Sequence, residues 1–270
     1  MELQALKPPT GPLSALEMLR LDQAGPVLHI RLMRPAKRNS ISDELLAQIH
    51  TVFVNIPAAT RVAVLSGEGD HFCAGLDLSE VSERTVAEGI AHSRSWHACF
   101  DAIQFGPVPV IAVLHGAVVG GGLELASSAH LRVAEDSAFY GLPEGTRGIF
   151  VGGGGSVRVS RLLGVSRMTD MMLTGRVFDA DEGQAFGVSN YRVGDGQGVA
   201  KALALAQKIA GNAPLSNYAI TQALPRIADL SASDGLFVES LMASIAQGDE
   251  AAKERVRAFL EKRAAKVAKA

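Results

Sequence analysis

Cysteine is scarce in this chain. Only Cys73 and Cys99 occur in 270 residues. They form no C-x-x-C pair and no metal-ligand spacing, so no disulfide framework or thiolate metal site is expected, and a reducing, cytoplasmic compartment is. An excess of either charge is also missing: 26 Lys and Arg stand against 28 Asp and Glu, a formal net charge of −2. That balance gives no footing to nucleic acid or to an anionic membrane surface. No stretch approaches the roughly 20 apolar residues of a membrane span. The first fifteen residues, with Pro8, Pro9 and Pro12, hold no apolar run of signal-peptide type. Neither G-x-G-x-x-G nor G-x-x-x-x-G-K-[ST] fits the glycine clusters, which weakens a dinucleotide or P-loop reading.

What remains is ordinary globular composition, 47% hydrophobic and 20% charged. The length suits one large domain, or a core with a small helical appendage. Residues 1–16 read as a loose extension. The core spans 17–197 and a helical region follows over 198–270. Alternation about Gly25-Pro26 predicts a hairpin from Met18 to Met33. Ser42, followed by Asp43-Glu44, predicts a helix to about Asn55. Val62 to Ser66 and Val108 to Leu114 read as buried strands, with a helix over Ser79 to Phe105 between them. Glu124 is expected to begin a further helix, and Gly152 to Gly155 another. Strands and helices alternate to about Val193, which argues for a mostly parallel α/β layering; helical period prevails after Gly198.

Two segments carry chemistry. Val110 to Leu114 runs toward Gly120-Gly121-Gly122-Leu123-Glu124, and Pro143-Glu144-Gly145 follows later. Glycines let a backbone approach a ligand, and free N–H groups at a helix start hold an anion. Carboxylates beside such donors fit an oxyanion site with proton transfer. Each feature also has a plainer reading. The glycines serve tight turns, Glu124 is a dipole partner in a first helical turn, and Glu144 is a solvated loop charge. Glu124 nonetheless lies among Leu123, Leu125 and Ala126, where a buried carboxylate needs a reason. Gly152 to Gly155 are equally open between packing and function.

Read in order, His71-Phe72-Cys73-Ala74-Gly75-Leu76-Asp77-Leu78, Pro109 to Gly116, Gly120 to Ala126, Phe139 to Glu144, Gly152 to Arg158, Leu173 to Arg176 and Phe259 to Arg263 resemble the crotonase superfamily, the enoyl-CoA hydratase/isomerase group. The likeness covers roughly residues 18–265. It implies a spiral of ββα units followed by a C-terminal helical trimerisation region. It also implies an acyl-CoA thioester substrate, fatty acid metabolism, no separate cofactor, no metal, and a homotrimer or a hexamer built as a dimer of trimers. By the family pattern the backbone N–H groups of Leu76 and Gly121 form the oxyanion hole, and Glu124 and Glu144 are catalytic. Having both glutamates favours a hydratase that adds water to a trans-2-enoyl-CoA. The rivals are an enoyl-CoA isomerase, a hydroxycinnamoyl-CoA hydratase-lyase and a weakly catalytic CoA-binding protein. The CoA contacts implied are Lys37, Arg38 and Ala74, with Phe259 and Lys262 reaching a neighbouring subunit. A core Phe259 and a surface Lys262 are the plainer alternative. Near the acyl pocket the sequence departs from the usual pattern at Gly106-Pro107-Val108-Pro109, Phe150-Val151 and Gly145-Thr146-Arg147. The last is more polar than the customary aliphatic pair, so the acyl group stays open.

Overall fold

Gly25-Pro26 turns Leu19–Ala24 (β2) back onto Val27–Leu32 (β3), pairing Ala24 with Val27 and Leu19 with Leu32. The computed structural model describes residues 3–6, 10–80, 83–261 and 263. It divides into two units, Met1–Gln207 and Lys208–Ala270. Within the first, Gln4–Ala5 (β1) pairs antiparallel with β2, and Leu6 N–H donates to Leu21 O at 2.8 Å. Residues 4–6 are therefore tied to the sheet edge rather than loose. Two residues of backbone pairing leave no periodic trace in a sequence.

The chain then runs through Asp43–Val54 (α1), Val62–Gly67 (β4), Val86–Gln104 (α2), Val110–Leu114 (β5), Ala117–Val119 (β6) and Gly121–Ser128 (α3). Leu131–Glu135 (β7), Phe139–Gly141 (β8), Gly155–Leu163 (α4), Val165–Thr174 (α5) and Val177–Phe178 (β9) follow. Ala180–Ala185 (α6), Tyr191–Val193 (β10) and Gly198–Ala210 (α7) come next. The large sheet has the order β1-β2-β3-β4-β5-β7-β10, and a small sheet has the order β6-β8-β9. From β3 to β10 every pairing in the large sheet is parallel. Only its first three strands are antiparallel.

Each turn of the spiral gives one strand to the large sheet, a short strand or bridge to the small one, and then a helix. The parallel bridges Ile41↔Leu76 and Cys73↔Val118 extend the small layer to the first turns. β4 and β5 are buried on both faces, as central parallel strands with helices outside must be. The same burial ends the alternation expected of β3. His29 lies inside, its Nε2 2.8 Å from Ser66 Oγ, and burial lowers its pKa to about 4.

The expected helix over Ser79 to Phe105 starts later. Leu78–Glu80 forms a 3-10 turn, and α2 begins after Thr85. Thr85 Oγ1 accepts from Glu88 N–H at 3.3 Å while Glu88 Oε2 accepts from Thr85 N–H at 2.7 Å. This reciprocal cap satisfies two donors at the helix start. α3 starts at Gly121, three residues before Glu124, because Gly120 O already accepts from Glu124 N–H.

The second unit holds Pro214–Ile227 (α8), Ala232–Gly248 (α9) and Glu250–Leu260 (α10). Leu236 and Phe237 on α9 are each 65% exposed. Among the described residues no helix is long and apolar enough to cross a membrane, and no group of three His, Cys, Asp or Glu is placed to hold a metal ion.

Candidate active site

The segment Cys73 to Asp77 changes partners halfway along. Cys73 pairs with β6, donating to Ala117 O at 3.0 Å and accepting from Val119 N–H at 3.1 Å. Gly75 then adopts φ +95. Beyond it, Gly75 O accepts from Ile41 N–H at 2.7 Å and Asp77 N–H donates to Ile41 O at 2.9 Å. Alternate amides of an extended chain face opposite edges. The Leu76 N–H therefore points away from Ile41, and among the described residues it has no acceptor.

The other donor comes from a helix start. Gly121 is the first residue of α3, so its N–H has no intrahelical acceptor. A Cβ on Gly121 would lie 3.5 Å from Leu76 N and 2.7 Å from the Trp96 ring; one on Gly122 would lie 2.1 Å from Cys73 O. The glycines are there because α3 lies directly against the Cys73–Leu76 segment and α2. Two free N–H groups thus stand side by side.

Glu124, one turn into α3, is 4% exposed. Its Oε1 accepts from Gly153 N–H and from Gly155 N–H, both at 2.8 Å. Gly155 is the first residue of α4, so the carboxylate occupies that helix's anion-binding end. Arg158, on the next turn, donates to Gly153 O at 3.2 Å and braces the loop. Burial raises the Glu124 pKa, opposed by the Gly155 and Gly153 amides and by Arg158. The role of Gly152 to Gly155, open in the sequence, is in part to hold Glu124.

Glu144 is 7% exposed. It precedes the 3-10 turn Gly145–Arg147, and its carbonyl accepts from Arg147 N–H and Ile149 N–H, both at 3.0 Å. Its Oε1 lies against Gly120, where a Cβ would sit 3.0 Å away. Its Oε2 is buried without a hydrogen-bond partner. Burial pushes its pKa up to about 7; the charge of Glu124 adds to the rise, and its own amide and Arg147 oppose it. One carboxylate is thus clamped by two amides, while the other is poised near neutrality.

Both glutamates, Leu76, Gly121 and Ala74 line one cavity of about 440 Å³. Trp96 is buried and also contributes to this wall, stacked edge-on to Phe100 at 5.6 Å. His92 is half-buried on the same wall, its Nε2 3.0 Å from Asp43 Oδ1. His115 supports a turn, its Nε2 2.9 Å from Gly69 O.

Lys37 and Arg38 sit on an exposed loop beside the cavity. Arg38 O accepts from Ala74 N–H at 3.0 Å. Arg38 and Asn39 take φ +51 and +53, and the Asn39 side chain holds the turn through Arg34 N, Glu68 O and His71 O. Arg34 pairs with Asp77 at 2.7 Å. Hydrogen bonds from Ser79 and Arg34 hold the Asp77 carboxyl well below the usual range. Phe259 lies in the second unit and is exposed. Lys262 is outside the described residues.

The ββα spiral and its helical extension define a protein of the crotonase type. The chain belongs to the enoyl-CoA hydratase/isomerase family, whose sequence pattern matches residues 22–269. It is 30% identical over 249 residues to an enoyl-CoA hydratase of Mycobacterium tuberculosis, covering 90% of this chain and 94% of that one. A Rhodopseudomonas palustris crystal structure, described provisionally as an enoyl-CoA hydratase, is 57% identical with a TM-score of 0.88, covering 93% of this chain and 97% of that one. The enoyl-CoA hydratase structure from Bacillus anthracis matches at 32% identity and a TM-score of 0.85, covering 91% and 97%.

Proposed function

We propose that this protein is an enoyl-CoA hydratase, adding water across the α,β double bond of a trans-2-enoyl-CoA. One observation carries the reading: two buried carboxylates, Glu124 and Glu144, share a cavity with the unpaired N–H groups of Leu76 and Gly121. The thioester oxygen accepts from those two donors. As water adds to Cβ, the π electrons move onto that oxygen and give an enolate, which fixed donors stabilise by about 3–4 kcal/mol each. Glu124, ionised, takes the proton from the attacking water. Glu144, protonated, gives its proton to Cα as the enolate collapses. Its pKa of about 7 suits a group that must hold and release a proton near neutrality.

In this reading CoA is part of the substrate, Lys37, Arg38 and Ala74 meet it, and no metal takes part. The exposed apolar side chains of α9 support assembly into a trimer or a dimer of trimers. Phe259 and Lys262 then serve the CoA of a neighbouring subunit. The two free, buried thiols suit a cytoplasmic enzyme.

The test is turnover of crotonyl-CoA and cinnamoyl-CoA, followed by absorbance and mass, for wild type, Glu124→Gln and Glu144→Gln. Gain of one water by wild type, lost in both variants, is the expected result. Double-bond migration that survives Glu124→Gln but not Glu144→Gln identifies an isomerase. Release of an aldehyde and acetyl-CoA identifies a lyase. Binding without turnover leaves a CoA-binding protein.

A further inference from the structure

We propose that the acyl pocket takes a chain ending in a carboxylate, gripped between Arg84 and Arg147. The proposal deepens the acyl-CoA reading and rests on it for the thioester end of the substrate.

Both arginines line the cavity that holds Glu124 and Glu144. They come from opposite sides of it in sequence. Arg84 stands just before the Thr85 cap of α2, and Arg147 ends the 3-10 turn that Glu144 starts. Among the described residues neither guanidinium makes a hydrogen bond to protein or enters an ion pair. By contrast, Arg34 is paired with Asp77, Arg158 with Asp101 and Arg176 with Glu182. Two guanidinium forks without a direct protein partner thus line this cavity, with Glu88 acting on Arg84 and Glu144 on Arg147 only through space. Neither catalytic carboxylate bonds these arginines directly. Glu124 spends Oε1 on the Gly153 and Gly155 amides, and burial favours the neutral form of Glu144.

The same rim carries Leu78, Ile149 and Phe150, all exposed and apolar. A hydrocarbon chain satisfies these side chains and leaves the arginines merely hydrated. A chain of methylenes with a terminal carboxylate satisfies both, since a guanidinium binds a carboxylate through two parallel N–H···O bonds. A CoA phosphate has the same chemistry as that carboxylate, so the two sources must be separated by experiment.

Matched ligands do this. Adipyl-CoA and hexanoyl-CoA have equal acyl length and identical CoA, and differ only in carboxylate against methyl at the far end. Titration calorimetry on wild type is expected to give at least a tenfold lower Kd for adipyl-CoA. Arg147→Leu and Arg84→Leu should each bring the ratio toward one by weakening adipyl-CoA alone, and Arg147→Lys should keep part of the preference. Equal binding of the two ligands by wild type overturns the proposal. So does an Arg147→Leu variant that weakens both equally, which assigns the arginines to CoA phosphate. A parallel assay compares hydration of the 2-enoyl forms of the two chains. If neither is hydrated while adipyl-CoA keeps its advantage in binding, the hydratase reading fails and this one stands.

Discussion

Glu124 Oε1 and the Gly155 N–H meet at 2.8 Å across 31 positions of sequence. The bond places a catalytic candidate at the start of α4, so the geometry of one helix end sets that of a side chain on another. A Cβ at position 155 would lie 2.8 Å from Glu124 Cγ and 2.9 Å from Oε1. Gly155→Ala should therefore displace the carboxylate by a fraction of an ångström or more. Misplacement on this scale costs about 100-fold in kcat. Steady-state kinetics on a hydrated enoyl-CoA should show that loss with KM little changed. A raised KM with kcat intact would remove Glu124 from the chemical step.

Glu144 predicts the alkaline side of the pH profile. Its role as proton donor needs the neutral form, and its pKa stands at about 7 in the free protein. The value of kcat/KM should fall as pH rises through that range. A limb that stays flat to pH 9 would show that protonated Glu144 is not required.

The same shift has a consequence for stability. The folded-state pKa is raised above the ordinary 4.5. The stabilisation linked to the neutral carboxyl is therefore fully present below pH 4.5 and lost as pH climbs to about 7. Glu144→Gln removes the buried charge. It should be more stable than wild type at pH 8.5, where the wild-type carboxyl must carry a charge in its buried site. The gain should vanish near pH 4.5. Thermal melts of the two proteins at both pH values would check it, and parallel curves would contradict it.

What the sequence disclosed and what it hid divide along chain distance. Apolar runs such as Val110 to Leu114 signalled the central strands, since a strand buried on both faces needs nothing but apolar side chains. Glu124 and Glu144 were legible because each sits inside a contiguous motif. The hold of Gly153 and Gly155 on Glu124 was not, because backbone N–H groups carry no side-chain signature and the partners are remote. The strand at Gln4–Ala5 left no trace, being too short for a period of two. The late start of α2 was written in Thr85 and Glu88, a capping pair that the apolar period of the following helix overshadowed.

Asn39 offers a test of the loop carrying Lys37 and Arg38. It is wholly buried, at φ +53, and its side chain bonds Arg34 N, Glu68 O and His71 O at 2.9, 2.9 and 2.7 Å. Asn39→Ala keeps the strained backbone and strands three polar groups. A cost of about 2–4 kcal/mol is expected in urea unfolding. Since Arg38 O is tied to Ala74 N on the cavity wall, binding of free CoA should weaken in the folded variant. Unchanged CoA affinity would place this loop outside the binding site.

Gly121 separates two reasons for a glycine. Its φ is not in the left-handed region, so the backbone itself accepts alanine. The obstacle is steric: the new Cβ would meet Trp96 at 2.7 and 2.9 Å. If Gly121 N–H is an oxyanion donor, Gly121→Ala should tilt it and reduce kcat by about 100-fold, the loss typical of one such donor. Trimming the obstacle should then restore function. Trp96→Leu by itself removes buried ring surface and lowers stability by roughly 2–4 kcal/mol. Combined with Gly121→Ala, it should recover much of the lost kcat, because the space that the Cβ needs is the space the ring leaves. A double variant no faster than Gly121→Ala would mean that the ring does not set the position of the donor. In that case Gly121 would owe its place to the close approach of α3 to Cys73–Leu76, which Gly122 also makes possible, while Gly120 is required by its own φ of +55.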